Sequence, residues 1–335
     1  MQTIPPTPVA ILTGGYSAEA PVSRKSAAMV MDNIDRNRWT PTLVHINPDG
    51  WWAEVEGYGQ LPIDRLDFSI QIPGQPAKHK FAKVLIMVHG TPGENGRLQA
   101  YFEMIGMPHT NGSPRSMALT FHKGWTTTLL RSQGIPVAQG VLLRPGTPLP
   151  EPSTFGGFPC FVKPNEAGSS FGVSRVEGPA EFEKAVNFAF NACAEEASVL
   201  VESMLPGREF SVGIIPSEHD WNEPQALPVT EIVAHAAFFD FAAKYQGASD
   251  EITPADIPSN VADAMQETAL AVYKITECRG MARVDMKWEA NGNMPPAVIE
   301  VNTIPGFTEH SLVPQQAEHI GLSRKDLINR ILGAA

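Results

Sequence analysis

Two segments near the carboxyl end place oxygen ligands on one surface. In Met281-Ala-Arg-Val-Asp-Met-Lys-Trp288 the side chains alternate faces, so Arg283, Asp285 and Lys287 share one side. In Ala297-Val-Ile-Glu-Val-Asn302, Glu300 and Asn302 likewise share a side. Asn291-Gly292 lies between them, a strong antiparallel hairpin signal. Folding the hairpin gathers Asp285, Glu300 and Asn302 beside Arg283. Two carboxylates and an amide oxygen form a hard-oxygen set suited to Mg²⁺, which keeps waters and takes further ligands from phosphates. The alternative is a solvated, charged sheet face. Against it, the patch runs directly into Thr303-Ile-Pro-Gly306, a turn with available backbone N–H groups.

A second group of residues suits an anion. In Lys163-Pro-Asn-Glu-Ala-Gly-Ser-Ser-Phe-Gly172, small residues let backbone amides approach closely, hydroxyls add donors and Lys163 adds a point charge. The order of residues is not that of a Walker loop, and alone the segment reads rather as a plain hairpin. Glu202 closes a strand, and Glu209 follows after Leu205-Pro206-Gly207. That pattern fits an adenine slot with a ribose acceptor beyond it, or simply surface acids around a turn. Lys123, beside His122 in the middle of an expected helix over 116–133, reads on its own as a solvent-facing lysine.

The elements that must position these groups are short and alternate. Pro8 to Thr13 is an apolar strand ending at Gly14-Gly15, and a helix is expected over Ser23–Ile34. Further strands are expected near Thr42–Ile46 and Val84–Val88, the latter ending at His89-Gly90, with Leu98, Phe102 and Ile105 at helical spacing beyond. This pattern predicts a parallel sheet with helical crossovers, and such sheets bind ligands at the carboxyl ends of their strands. Gly-Gly-Tyr-Ser-Ala-Glu is no dinucleotide fingerprint. In the middle third, strands over Pro136–Leu143 and Ser198–Glu202 flank a hairpin across the Gly/Ser loop. In the last third, strands are expected at Arg208–Ile215 and Leu227–Val233, besides the metal hairpin. Ala237–Pro258 is polar and aperiodic, and reads as a functional surface loop.

The chain has 335 residues, enough for two or three domains with a sizeable core. Its net charge of −11 disfavours nucleic acid as a partner, without excluding a small phosphate ligand at a local cluster of lysines. Cys160, Cys193 and Cys278 are odd in number and show no Cys-x-x-Cys spacing, as expected of free thiols in a reducing compartment. There is no secretory leader pattern and no apolar run of membrane-spanning length, so a cytoplasmic protein without a membrane partner is expected.

Several of these segments resemble the signatures of the D-alanine–D-alanine ligase family, within the ATP-grasp superfamily. They are Leu12-Thr-Gly-Gly-Tyr-Ser-Ala-Glu19 with Ser23, and His89-Gly90 followed by Gly93-Glu-Asn-Gly-Arg-Leu-Gln99. They continue with Lys163-Pro-x-x-x-Gly-Ser-Ser170, Pro206-Gly-Arg-Glu-Phe210 and Phe239-Asp-Phe-Ala-Ala-Lys-Tyr245. Arg283-x-Asp285, Glu300-x-Asn-Thr-x-Pro-Gly306 and Ser311-Leu-Val-Pro314 complete the set, in order, over about residues 9 to 333. The implied fold is α/β. It has an N-terminal Rossmann-like domain (1–115) and two α+β subdomains (116–202 and 203–335) clamping a nucleotide, with a lid at about 237–258.

The resemblance also implies roles. Lys123 and Lys163 hold ATP phosphates, Lys244 sits at the γ-phosphate, the Glu202–Leu205 segment holds adenine and Glu209 the ribose. Asp285, Glu300 and Asn302 bind two Mg²⁺ or Mn²⁺ ions. Glu19 takes the ammonium of the first D-alanine, with His89 nearby, and joins Ser169 and Tyr245 in a network that closes the lid. Arg283 and the Gly306 N–H form an oxyanion hole, and Ser311 with Leu312 receives the second substrate's carboxylate. The implied reaction makes D-alanyl-D-alanine, ADP and phosphate through an acyl phosphate, for peptidoglycan precursors, in a homodimer. A ligase using D-serine or D-lactate, or one from an antibiotic pathway, is the alternative. Ala20-Pro21, Met204, Phe239 and Phe241 depart from the family pattern and bear on substrate and nucleotide selection. A non-catalytic regulator of this fold would have lost part of the Asp285, Glu300, Asn302 and Arg283 set, which is complete here.

Overall fold

The computed structural model describes residues 5–168, 171–193, 197–217, 223–234, 249–290 and 295–335. The first unit opens with β1 (Thr7–Gly14), α1 (Ala20–Asn33) and β2 (Trp39–Asn47). The chain then runs through β3 (Gly50–Val55), β4 (Gly59–Asp64), β5 (Ser69–Ile70) and β6 (His79–Lys80) before β7 (Lys83–Ile86). The sheet order is β6-β5-β4-β3-β2-β1-β7. Only β2, β1 and β7 are mutually parallel; β2 to β6 form an antiparallel meander. The strands expected to be parallel, β1, β2 and β7, are parallel, and the antiparallel meander beyond β2 makes the sheet as a whole a mixed one. The meander strands are short and carry Gly50, Gly59, Pro62 and Asp64, so they lack the apolar runs that mark β1 and β7.

Helices α2 (Arg97–Met104), α3 (Pro114–Phe121) and α4 (Lys123–Ser132) follow. The helix expected over 116–133 is broken at His122, whose backbone is extended with φ −84° and ψ 90°. The apolar spacing hides this break, because both halves bury residues such as Met117 and Leu130. Lys123 therefore opens a helix and does not sit in the middle of one. A second sheet combines β8 (Gly140–Leu143), β9 (Cys160–Pro164), β10 (Ser174–Val176) and β11 (Val199–Ser203) in the order β10-β9-β11-β8, with α5 (Pro179–Asn191) packed on it.

The third sheet is antiparallel and holds β12 (Arg208–Ile215), β13 (Gln225–Ala226), β14 (Thr230–Ala234), β15 (Ser249–Ile252), β16 (Ala282–Trp288) and β17 (Ala297–Asn302). Its path is β15-β14-β12-β16-β17, with β13 also on β12. The strand expected over Leu227–Val233 is divided at Pro228, which has no N–H for a ladder. The segment expected to be irregular over 237–258 is corrected in part: Ser249–Ile252 pairs with Ala234–Glu231 as an edge strand. Residues 237–248 of that segment lie outside the described residues. Helix α6 (Ser259–Ile275) covers one face of this sheet, burying Met265, Ala269 and Val272 against Phe210, Val212 and Val284.

The last helices, α7 (Leu312–His319) and α8 (Arg324–Ala334), return to the first sheet. Leu327, Ile328, Ile331 and Leu332 of α8 join Val9, Ile11 and Leu85 in one buried cluster. Burial of each such side chain contributes about 1.5–3 kcal/mol. Polar ties add direction: Trp39 Nε1–H donates to Asn329 Oδ1 at 2.8 Å, and Lys83 Nζ to the Leu332 carbonyl at 2.7 Å. The two ends of the chain are thereby locked together, which fixes the first sheet relative to the third. Among the described residues no helix is long and apolar enough to cross a membrane.

Candidate active site

Two cavities meet between the sheets. The first, about 510 Å³, lies between the second and third sheets and is lined by Phe161, Lys163, Glu202, Met204, Leu205, Glu209 and Lys287, among others. The second, about 1040 Å³, lies at the carboxyl end of the first sheet and is lined by Glu19, His89, Glu94, Arg283, Asn302, Gly306, Ser311 and Leu312. Gly168, Glu209, Asp285 and Glu300 border both.

In the first cavity each lysine is already paired. Lys163 on β9 and Glu202 on β11 form a buried ion pair. Glu209 faces Lys287 across the β12–β16 register, with 3.2 Å between charged atoms. Lys123 donates to the Ala167 carbonyl at 2.6 Å and lies 3.9 Å from Glu300. Its desolvation lowers its pKa from the usual lysine value, opposed chiefly by Glu300. Met204 and Leu205 follow β11 and supply an apolar wall. A cavity with a slot at a strand end and cations further in has the polarity order of a nucleotide, from base to phosphates.

The hairpin brings the metal candidates together. Asp285 is the register partner of Glu300, and Arg283 of Asn302, with a bulge after Asp285. Asp285 accepts from Arg283 Nε–H and Nη2–H at 2.8 and 2.7 Å, from Ser211 Oγ–H at 2.7 Å and from Asn302 Nδ2–H at 3.1 Å. Asn302 Nδ2 also lies 3.5 Å from Glu300 Oε1. Among the described residues no group of three or more His, Cys, Asp or Glu side chains could enclose a metal. Two carboxylates with one amide between them fit instead an ion that draws its other ligands from water and phosphate. The Asn302 amide must turn its oxygen inward for this. Sequence reasoning missed Ser211, because its approach to Asp285 depends on a register between strands 74 residues apart.

The second cavity is built by close approach. Glu19 precedes α1, and its carboxylate packs against two glycines. Gly90 has φ +68°, and a Cβ there would come within 2.8 Å of Glu19 Oε2. A Cβ on Gly168 would run into the same carboxylate. His89 is buried; its Nε2 pairs with Ser26 Oγ at 2.9 Å, and the Ile304 backbone supports it. Burial pulls its pKa down to about 4, with Arg283 adding to the effect, so the imidazole is neutral. With Nδ1–H toward Ile304, Nε2 accepts from Ser26 Oγ–H, and Ser26 Oγ accepts from Phe307 N–H at 3.1 Å. His89 is thus a buried brace for the turn that carries Gly306.

Ser311 precedes α7, and its Oγ accepts from Thr308 N–H at 2.8 Å. A Cβ at Gly306 would meet that oxygen at 2.8 Å, so only glycine leaves the turn its shape. The N-terminal end of α7, at Ser311 and Leu312, lines this cavity, an arrangement suited to a carboxylate.

Glu94 has no role in the sequence reading, although it lies inside the quoted Gly93-Glu-Asn-Gly segment. It accepts from Gly90 N–H at 2.7 Å and lines the cavity with Glu19. Burial, then the Glu19 charge, push its pKa up to about 8. Two carboxyls so placed do not both ionise readily until a cation arrives. Ser169, Lys244, Tyr245, Phe239 and Phe241 lie outside the described residues.

The chain matches the models for the D-Ala–D-Ala ligase N-terminus over residues 8–112 and the D-Ala–D-Ala ligase C-terminus over residues 129–333. A Flavobacterium johnsoniae protein named D-alanine–D-alanine ligase is 39% identical over 326 residues, 97% of this chain and 98% of that one. Among solved structures, the D-alanine–D-alanine ligase of Coxiella burnetii superposes with a TM-score of 0.84 at 26% identity, over 98% of this chain and 93% of its own. The VanG D-Ala:D-Ser ligase of Enterococcus faecalis gives a TM-score of 0.83 at 29% identity, over 98% and 99%.

Proposed function

Since this chain belongs to the D-alanine–D-alanine ligase family, an ATP-grasp family, we propose that its two joined cavities are one ligation site. The enzyme joins two D-alanine molecules with conversion of ATP to ADP and phosphate, a step of peptidoglycan precursor synthesis. The observation that carries the site reading is the shared wall: Asp285 and Glu300 border both the nucleotide-shaped cavity and the carboxylate-lined one.

Adenine lies along Glu202–Leu205 and ribose against Glu209, with the phosphates toward Lys163, Lys123 and Lys244. Arrival of phosphate lets Lys163 and Lys123 exchange a carboxylate partner for a phosphoryl oxygen. Asp285, Glu300 and Asn302 would hold two divalent ions, Mg²⁺ or Mn²⁺. Such ions, when bound, neutralise charge on the transferring phosphoryl group. Glu19, with Glu94 beside it, takes the ammonium of the first D-alanine and aims its carboxylate at the γ-phosphate. The product of that transfer is an acyl phosphate, which has phosphate as a leaving group where the carboxylate had none.

The second D-alanine places its carboxylate at Ser311 and Leu312 and its amine against the activated carbonyl. Arg283 and the Gly306 N–H then stabilise the tetrahedral oxyanion. His89 stays neutral and holds the Gly306 turn. Ser169 and Tyr245 link Glu19 to the lid, which excludes water from the acyl phosphate. A cytoplasmic homodimer completes the reading.

The test is phosphate release from ATP and Mg²⁺ with D-alanine, L-alanine, D-serine and D-lactate offered as acceptors. D-Alanine is expected to be preferred, with ADP as the only nucleotide product. Equal turnover with L-alanine, or release of AMP, contradicts the proposal.

A further inference from the structure

Lys123 reaches the cavity from the first residue of α4, and the structure shows what holds that residue. His122 is 5% exposed and caps the helix: its Nδ1 accepts from Trp125 N–H at 3.0 Å. The Trp125 ring stacks on the imidazole, with centroids 4.0 Å apart and planes within 10°. Asn165 of the Gly/Ser loop takes the two preceding donors, Lys123 N–H through its carbonyl at 3.3 Å and Gly124 N–H through Oδ1 at 2.9 Å. The first turn of α4 is therefore fixed at three points, two on the loop and one on His122. From that turn Lys123 Nζ reaches back to the Ala167 carbonyl of the same loop.

We propose that His122 is a positioning residue for nucleotide binding, holding Lys123 through its Nδ1 cap, and that protonation of the imidazole releases this hold. The proposal rests on the reading of Lys123 as a phosphate ligand. Most capping side chains are hydroxyls, amides or carboxylates, whose acceptors persist near neutral pH. An imidazole differs, since its acceptor exists only in the neutral form. Capping through Nδ1 places the ring proton on Nε2, 4.0 Å from Glu166 Oε1. A second proton must go to Nδ1, where it meets the Trp125 N–H head-on. The ring must then turn away, which leaves the Trp125 N–H with the His122 carbonyl alone, at 3.0 Å.

Glu166 of the loop lies against the imidazole, and Lys123 adjoins it in the chain. Glu166 and the Trp125 face favour the imidazolium. Lys123 and the helix N-terminus oppose it. Acidification thereby weakens the grip on ATP through α4, while the titration of Glu94 at the amino-acid end is common to all His122 variants.

The experiment measures KM for ATP and for D-alanine, with kcat, for wild type, His122→Asn and His122→Ala, between about pH 8.5 and 6. Asparagine keeps a cap acceptor that does not titrate; alanine has none. At the alkaline end wild type and His122→Asn are expected to agree, while His122→Ala shows a KM for ATP about five-fold higher, the equivalent of one lost cap. On acidification the wild-type KM for ATP rises toward that of His122→Ala and away from that of His122→Asn. KM for D-alanine and kcat stay together in all three. Because ATP itself titrates in this range, the ratio of wild type to His122→Asn is the quantity read. Equal KM values for His122→Ala and wild type at the alkaline end, or a constant ratio on acidification, overturn the proposal. A Lys123→Met arm separates the two levels: an unchanged KM for ATP in that variant removes the phosphate role of Lys123 itself.

Discussion

The two cavities hold their charges in opposite ways. At the nucleotide end every described lysine that lines the cavity meets a carboxylate: Lys163 with Glu202, Lys287 with Glu209, Lys123 with Glu300. At the amino-acid end Glu19 and Glu94 are placed together, and the nearby imidazole of His89 is kept neutral. The first arrangement neutralises cations before phosphate arrives. The second places two carboxyls side by side, with a proton held on Glu94, where an ammonium is to bind. Ligand charge is thus anticipated at both ends, by exchange of partners at one and by release of a proton at the other.

The largest effect expected from breaking this contrast is at the buried Lys163–Glu202 pair. Lys163→Met leaves Glu202 buried without its cation, and loss of about 3–5 kcal/mol of stability is expected in urea unfolding. The double replacement Lys163→Met with Glu202→Leu should recover most of that stability and none of the ATP affinity. Recovery of both would show that the pair is structural only.

Next in size is Arg283→Met. Loss of one oxyanion donor should lower kcat by roughly 10²–10³-fold. ATP affinity should change little, because Asp285 keeps Ser211 as a partner. Lost ATP binding with normal turnover at saturation would reverse the assigned roles.

The smallest effect is a slope. The folded pKa of Glu94, about 8, lies above that of an unfolded carboxyl. Its stabilising proton is therefore fully present below the ordinary carboxylate range and is lost as pH rises through about 8. Melting temperature of the ligand-free enzyme should fall between about pH 6 and 9 in wild type, and much less in Glu94→Gln. D-Alanine should flatten the wild-type slope by supplying the ammonium. Identical slopes in wild type and Glu94→Gln would remove Glu94 from the contrast.

The nucleotide end was more legible in the sequence than the amino-acid end, for physical reasons. Strand alternation and an Asn-Gly turn suffice to gather Asp285, Glu300 and Asn302, since hairpin neighbours are local. Ser211 and Lys287 acquire their partners only through the β12–β16 register, which no local pattern specifies. The contact of Glu19 with Gly90 and Gly168 joins three distant segments, and glycine signals only that something comes close. Glu94 sat in plain view within its motif, but burial beside a like charge is a property of the fold. The break at His122 was hidden by apolar spacing that continues across it. Strand β15, Ser-Asp-Glu-Ile, has one apolar residue and forms because β14 offers it an edge.

The central claim is that the two cavities act in sequence on one carboxylate, activating it at the shared wall. The most direct measurement uses D-alanine labelled with ¹⁸O in its carboxylate, together with ATP and Mg²⁺, and mass analysis of the phosphate released. Activation through an acyl phosphate leaves one labelled oxygen in each phosphate formed with the dipeptide. Unlabelled phosphate, with the oxygen lost from the first residue found in AMP or in water, would contradict the account.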